Sequence, residues 1–271
     1  LAPLKDKAAD GREEAMPRHA PVLFFLFRWY LRWIFWRSFD AVRLSRAHMP
    51  DEFTGRPLVI YCNHPSWWDP ALMILALPRI FPGRRGYGPM DAGELKRYGL
   101  FRNMGVFGIE PGTRRGAARF LRVAASLLRA PESCLCVTAE GAFTDPRLRP
   151  IRLRHGLAHL ARRCPDAVFL PMALDYPFWN ESKPEALLRF GPAVQPPADG
   201  TITAWQAALE SALTDAMDGL AEESAARNPA AFTRIFSGTA GVGGVYDVWR
   251  RARATMSGQA FSARHQAGPN P

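Results

Sequence analysis

The chain has 271 residues, 48% of them hydrophobic and 22% charged, enough to bury one sizeable core. That composition excludes a disordered, collagenous or disulfide-framework protein. The four cysteines, Cys62, Cys134, Cys136 and Cys164, are too few and too irregularly spaced for a secreted framework or a four-thiolate zinc site. Cys62, Cys134 and Cys136 lie in apolar runs, where a cysteine reads as a small buried hydrophobe in a reducing compartment. The net charge is +10, and apart from Lys5, Lys7, Lys96 and Lys183 every basic residue is an arginine. Residues 61–170 carry 17 basic against 8 acidic side chains, which points to a phosphate-bearing partner: a lipid surface, a nucleic acid or a cofactor-like substrate.

In chain order, residues 21–36 (PVLFFLFRWYLRWIFW) come first: intensely apolar and aromatic, but interrupted by Arg28 and Arg32. The two arginines are four apart, on one face of a helix, in a stretch too short and too charged to span a bilayer. Aromatic rings with interspersed guanidinium groups suit the headgroup boundary of a membrane, and a core helix is the competing reading. A secretory leader is disfavoured, because arginine follows the short apolar run at once and no small-residue cleavage site appears.

Residues 57–78 are apolar at both ends but carry Asn63, His64, Ser66 and Asp69 at their centre and four prolines. They parse as a buried strand over 58–62, a loop, and a helix beginning near Pro70. Helical spacing then marks 114–129, a short strand falls at 134–138, a helix at 156–164, and a buried strand at 167–174. A proline- and glycine-rich break at 191–200 precedes a helix over about 203–223, with Trp205, Leu209, Leu213, Met217 and Leu220 on one stripe. The GTAGVGG run at 238–244 follows no strand and lacks a phosphate loop's Gly-Lys-Ser/Thr, so it reads as a loop before a basic helix at 248–254. Strands alternating with helices predict an α/β fold with a mostly parallel central sheet and flanking helices. The expected division is a membrane-associating helical segment over 1–50, an α/β core over 51–200, and a helical extension over 201–271.

The chemistry concentrates in Asn63-His64-Pro65-Ser66-Trp67-Trp68-Asp69, directly after a predicted strand. An aspartate five residues after a histidine can fold back onto the imidazole, hold one ring nitrogen as N–H and leave the other to take a proton from a hydroxyl. The carboxyl end of a strand is where open α/β sheets bind ligands. Residues 63–69 resemble the first motif, Asn-His-x-Ser-x-x-Asp, of the lysophospholipid acyltransferase family within the glycerol-phosphate acyltransferase superfamily. Gly105-Val106-Phe107-Gly108-Ile109, Glu140-Gly141 and Leu170-Pro171-Met172-Ala173 resemble the second, third and fourth motifs, in order, over roughly residues 57–175.

The resemblance implies acyl transfer from a thioester, on coenzyme A or acyl carrier protein, to a lipid hydroxyl. His64 would be the general base and Asp69 its partner, with no covalent acyl-enzyme. There is no Gly-x-Ser-x-Gly elbow, and Ser66 is better placed to shape the loop. Substrate-binding positions by the same resemblance are Asn63, Ser66, Gly105, Glu110, Glu140, Gly141, Arg152 and Arg154. Trp67, Trp68 and Pro171 would wall an acyl pocket, with core packing the alternative for the two tryptophans. Two positions depart from the pattern: Glu110 stands where the family commonly has an arginine that contacts the acceptor phosphate, and Ala139-Glu140-Gly141-Ala142-Phe143 replaces Pro-Glu-Gly-Thr-Arg, with Phe143 at the arginine. A carboxylate at 110 predicts discrimination against phosphate monoesters, unless Arg114, Arg115, Arg147, Arg149, Arg152 or Arg154 compensates.

His155 and His159 share a helix face, but Gly156 replaces the glutamate of His-Glu-x-x-His and no third ligand is apparent. No metal or prosthetic group is expected, only the thioester co-substrate. The arginines form no recognisable nucleic-acid module. The expected partners are a lipid acceptor, an acyl thioester and an anionic membrane surface, with the protein peripheral or monotopic on the cytoplasmic face. The alternatives are an acceptor without phosphate (a glycolipid, aminolipid or isoprenoid alcohol) or a non-catalytic basic binding protein.

Overall fold

The computed structural model describes residues 17–51 and 53–239; most of the glycine-rich run and the helix expected at 248–254 lie outside the described residues. Helix α1 (Pro21–Ser38) leads into β1 (Ala41–Ser45), β2 (Leu58–Cys62) and α2 (Asp69–Ile80). Next come β3 (Arg85–Asp91), α3 (Ala92–Arg97), β4 (Val106–Ile109), α4 (Arg114–Leu127) and β5 (Ser133–Thr138). The remainder is α5 (Gly156–Arg163), β6 (Val168–Asp175), β7 (Ala186–Phe190), α6 (Ile202–Ala226) and β8 (Phe232–Ser237).

The eight strands form one sheet in the order β4-β3-β5-β2-β6-β7-β1-β8. Every neighbouring pair is parallel except β6/β7 and β1/β8. The anticipated α/β fold with a mostly parallel sheet is therefore the fold observed. The sheet draws strands from all three segments of the chain, β1 from the first and β8 from the last.

Strand β2 is the centre of the molecule. Its five residues, Leu-Val-Ile-Tyr-Cys, are all buried and pair in parallel with β5 on one side and β6 on the other. A strand covered on both faces needs a continuous apolar run, which is why this segment does not alternate. Val59 and Tyr61 join the core under α4, α5 and α6, whereas Leu58, Ile60 and Cys62 join the core under α1 and α2. The one polar group this burial strands, the Tyr61 hydroxyl, donates to the Leu209 carbonyl of α6 at 3.1 Å. Helix α6 is capped by the Thr201 hydroxyl and lays Trp205, Leu209, Leu213, Met217 and Leu220 on the sheet, the stripe expected from its spacing.

Helix α1 has two apolar faces with different fates. Leu31 and Phe35 are buried; Phe35 stacks on Phe39 at 4.9 Å between ring centroids and meets the edge of Trp68 at 5.3 Å. Phe25, Trp29, Trp33 and Trp36 are exposed on the opposite side. The core-helix reading holds for the Leu31 and Phe35 face, and the aromatic face is exposed. Among the described residues no helix is long and apolar enough to cross a membrane. Because Phe35 closes the α2 side of the core, Phe35→Ala is expected to cost about 3–5 kcal/mol in chemical denaturation. A truncation lacking residues 1–38 is expected to unfold, lacking a cooperative thermal transition, rather than to survive as a stable truncated domain.

Candidate active site

Adjacent parallel strands β5, β2 and β6 end together, and their carboxyl edge assembles the site. Asn63 follows β2 and is fully buried. Its amide donates to the Leu174 carbonyl at 2.9 Å and accepts from the Leu174 N–H at 2.8 Å, extending the β2–β6 ladder with a side chain. The chain then turns: the Trp68 N–H donates to the Ser66 hydroxyl at 3.2 Å, the Ser66 N–H donates to Asp69 Oδ2 at 3.2 Å, and α2 starts at Asp69.

Asp69 has no solvent exposure. Its Oδ2 lies 2.6 Å from His64 Nδ1 and its Oδ1 accepts from the Tyr176 hydroxyl at 2.7 Å. The backbone of His64 is held as firmly: its N–H donates to Glu140 Oε2 at 2.7 Å and its carbonyl accepts from the Thr144 N–H at 3.0 Å. Phe143 lies tilted over the imidazole, ring centroids 4.4 Å apart, and is itself 65% exposed. The His64 side chain keeps 16% of its surface open.

The other titratable groups are set by burial. Desolvation pushes the Glu140 carboxyl up, and the His64 N–H and Arg149 partly offset it. Burial first, then the charge of Asp69, raises the Tyr176 hydroxyl well above its ordinary value, so it stays a donor. Burial with Asp69 and Glu140 nearby does the same to Cys62, which remains a thiol and not a nucleophile. Beside Glu140, a cleft of about 290 Å³ is lined by Thr144, Leu148, Pro150, Ile151 and Arg152.

Of the positions expected from the sequence, His64, Asp69, Ser66, Glu140, Gly141 and Arg152 come together here. Gly141 has φ +69° and packs against the Arg154 side chain, where a Cβ would sit 2.8 Å from Nε. Several expectations are corrected. Asn63 is committed to Leu174 on both sides of its amide and so builds the edge. Gly105, just before β4, is a packing position: φ is +83° and a Cβ would lie 2.4 Å from the Gly86 carbonyl oxygen. Glu110 follows β4, at the same edge of the sheet but three strands from β2, roughly 14 Å away.

The expected acyl pocket of Trp67, Trp68 and Pro171 does not form. Trp68 packs on Phe35 and Phe39, and Trp67 stacks on it while 64% exposed. Pro171 pairs with Tyr61 and lies on the opposite face of the sheet, against Gly191. The sequence reading missed Tyr176 and the position of Phe143. The available signal for Tyr176 was its place just after a predicted strand that neighbours β2.

Residues 44–175 match the model of the Acyltransferase family, a span that holds His64, Asp69, Glu140 and the ends of β2, β5 and β6. Over those residues, just under half of its length, the chain is similar to that family. Among solved structures it is similar to the crystal structure of the 1-acyl-sn-glycerophosphate (LPA) acyltransferase PlsC from Thermotoga maritima, at 13% identity. That likeness covers 73% of this chain and 78% of the other, with a TM-score of 0.49. No curated protein matches the chain.

Asn63→Ala leaves two buried backbone groups of Leu174 without partners. It is expected to destabilise the fold by about 2 kcal/mol or more in denaturant melts, a loss that Asn63→Asp recovers only in part.

Proposed function

We propose that the protein transfers an acyl group from a thioester, carried on coenzyme A or acyl carrier protein, to the hydroxyl of a lysolipid or related lipid acceptor. The observation that carries this reading is His64 Nδ1 at 2.6 Å from a fully buried carboxylate. A carboxylate can only accept, so Nδ1 carries the hydrogen and Nε2 presents its lone pair to solvent and substrate. Nε2 takes the proton of the acceptor hydroxyl as that oxygen attacks the thioester carbonyl carbon. The C–S bond then breaks, the ester remains on the acceptor, and the departing sulfur takes the proton from the imidazolium. Asp69 stabilises the imidazolium between these steps, and Tyr176 and the Ser66 N–H hold Asp69 in place. The buried thiol of Cys62 and the loop-bonded Ser66 hydroxyl favour direct attack over a covalent acyl-enzyme.

Arg152 and Arg154 are exposed beside the Glu140–Gly141 turn and have no ion pair among the described residues, whereas Arg147 and Arg149 are taken by Asp145 and Asp218. The unpaired two are therefore the cations available to a phosphate of the donor or acceptor. Phe143, an apolar ring over His64, favours an acceptor whose phosphate is not next to the reacting hydroxyl. The exposed aromatic stripe of α1 supports a peripheral or monotopic position on the cytoplasmic face of the membrane.

In an assay of lipid ester formation, His64→Ala is expected to lose about 10²–10⁴ in rate with the melting transition retained, and Asp69→Asn to lose less. Parent-like turnover in His64→Ala contradicts the mechanism. Across a panel of acceptors with one donor, Arg152→Gln with Arg154→Gln is expected to raise KM for phosphate-bearing substrates about tenfold. Glu110→Arg is expected to leave the order of preference unchanged. A reversed order in Glu110→Arg would place that side chain against the acceptor after all.

A further inference from the structure

Three arginines meet where α1, α2 and β8 pack. Arg28, Arg32 and Arg79 line a crevice with Leu75, Ile235 and Phe236. Two of the three have contacts within the protein. Arg79 donates to the Ile235 carbonyl through Nη1, Arg32 lies 5.8 Å from the centroid of the Phe236 ring, and Arg28 is partly buried with its Nε lacking a hydrogen-bond partner. Among the described residues no carboxylate forms an ion pair with any of the three. Burial, then Arg79 and Arg32, lower the Arg28 guanidinium from its ordinary value. Three like charges converging without a counter-charge are an unfavourable arrangement that an anion relieves.

We propose that this crevice is a binding site for the phosphate of an anionic membrane lipid, separate from the catalytic edge. It rests on the reading of α1 as the membrane-facing element. Arg79 is at the far end of α2 from Asp69, about 15 Å along the helix axis, so the two sites do not share a ligand group. Arginine forks match phosphate oxygens in pairs, and the crevice encloses no volume of its own, so the phosphate sits at its mouth.

The position on α1 selects a lipid over a free phosphate. At 3.6 residues per turn, Arg28 and Arg32 border the exposed stripe of Phe25, Trp29, Trp33 and Trp36, all within about 100° of Arg32 around the helix. With those rings seated at the headgroup level, the three guanidinium groups lie at the depth of the phosphates.

The test is sedimentation of the full chain with phosphatidylcholine vesicles, with and without a phosphatidylglycerol fraction. Arg32→Gln with Arg79→Gln removes two exposed members of the site, and Arg28→Gln alone is a second, independent variant. Arg162→Gln with Arg163→Gln removes the same charge from exposed positions on α5, in the opposite layer and beyond a Debye length of the site. Trp29→Ala with Trp33→Ala tests the membrane reading itself. The parent is expected to bind the anionic vesicles at least tenfold better than the neutral ones. Both site variants are expected to lose most of that preference, and the α5 variant to keep it.

If the site variants keep the preference while the tryptophan variant releases the protein, the membrane reading stands and this site is wrong. If the tryptophan variant binds like the parent, α1 is not the membrane face and the proposal falls with that reading. If inorganic phosphate raises the melting temperature of the parent without vesicles, and does so less in the site variants, the crevice takes free phosphate and the lipid assignment is overturned.

Discussion

A carboxylate with no access to water must be surrounded by donors, and the candidate site is arranged around that requirement. Asp69 begins α2, where the helix terminus favours negative charge, and takes hydrogen bonds from the Ser66 N–H, the Tyr176 hydroxyl and His64 Nδ1. The three donors arrive from the loop after β2 and from the residue following β6. The sheet register that brings Leu174 within hydrogen-bond reach of Asn63 is therefore also what brings Tyr176 to Asp69. Glu140 repeats the device one strand over, a buried carboxylate accepting the His64 N–H. One acid fixes the ring and the other fixes its backbone.

The rest of the fold supplies the rigidity those contacts need. β2 is locked between β5 and β6 over its whole length and covered on both faces, so the loop that leaves it starts from an immobile point. Trp68, inside the motif, inserts against Phe35 and Phe39, which ties the loop after β2 to α1. The helix proposed to touch the membrane and the loop proposed to carry the chemistry thus share one packed cluster. A lipid acceptor drawn from the surface beside α1 would reach the site by a short path.

Much of this was legible in the sequence because it is written in local patterns. The buried run 58–62, the loop with His64 and Asp69, and the helices at 69–80, 114–127, 156–163 and 202–226 follow from periodicity and proline placement. What escaped depends on distant partners. β1 contains Arg43, a charge that reads as surface until Glu185, 142 residues away, is seen to bind it through two hydrogen bonds of 2.8 and 3.0 Å. β3 carries glycine and proline, and β8 is a short strand that only its pairing with β1 identifies. In the site, Asp69 was visible as a partner for His64 through its spacing. Tyr176 and Phe143 lie about 110 and 80 residues on and become neighbours only through strand order. Pro171 failed as a pocket residue for a related reason: motif order does not reveal which face of a strand a side chain occupies.

The central claim is that His64 activates the acceptor for direct attack on a thioester. A rapid-quench experiment with purified protein and an acyl thioester, run with and without lipid acceptor, tests it most directly. Free thiol and intact-protein mass are followed together. Direct transfer predicts thiol release only when acceptor is present, in step with ester formation, and no acyl adduct on the protein. A burst of thiol without acceptor, accompanied by an acyl group on the chain, would contradict it.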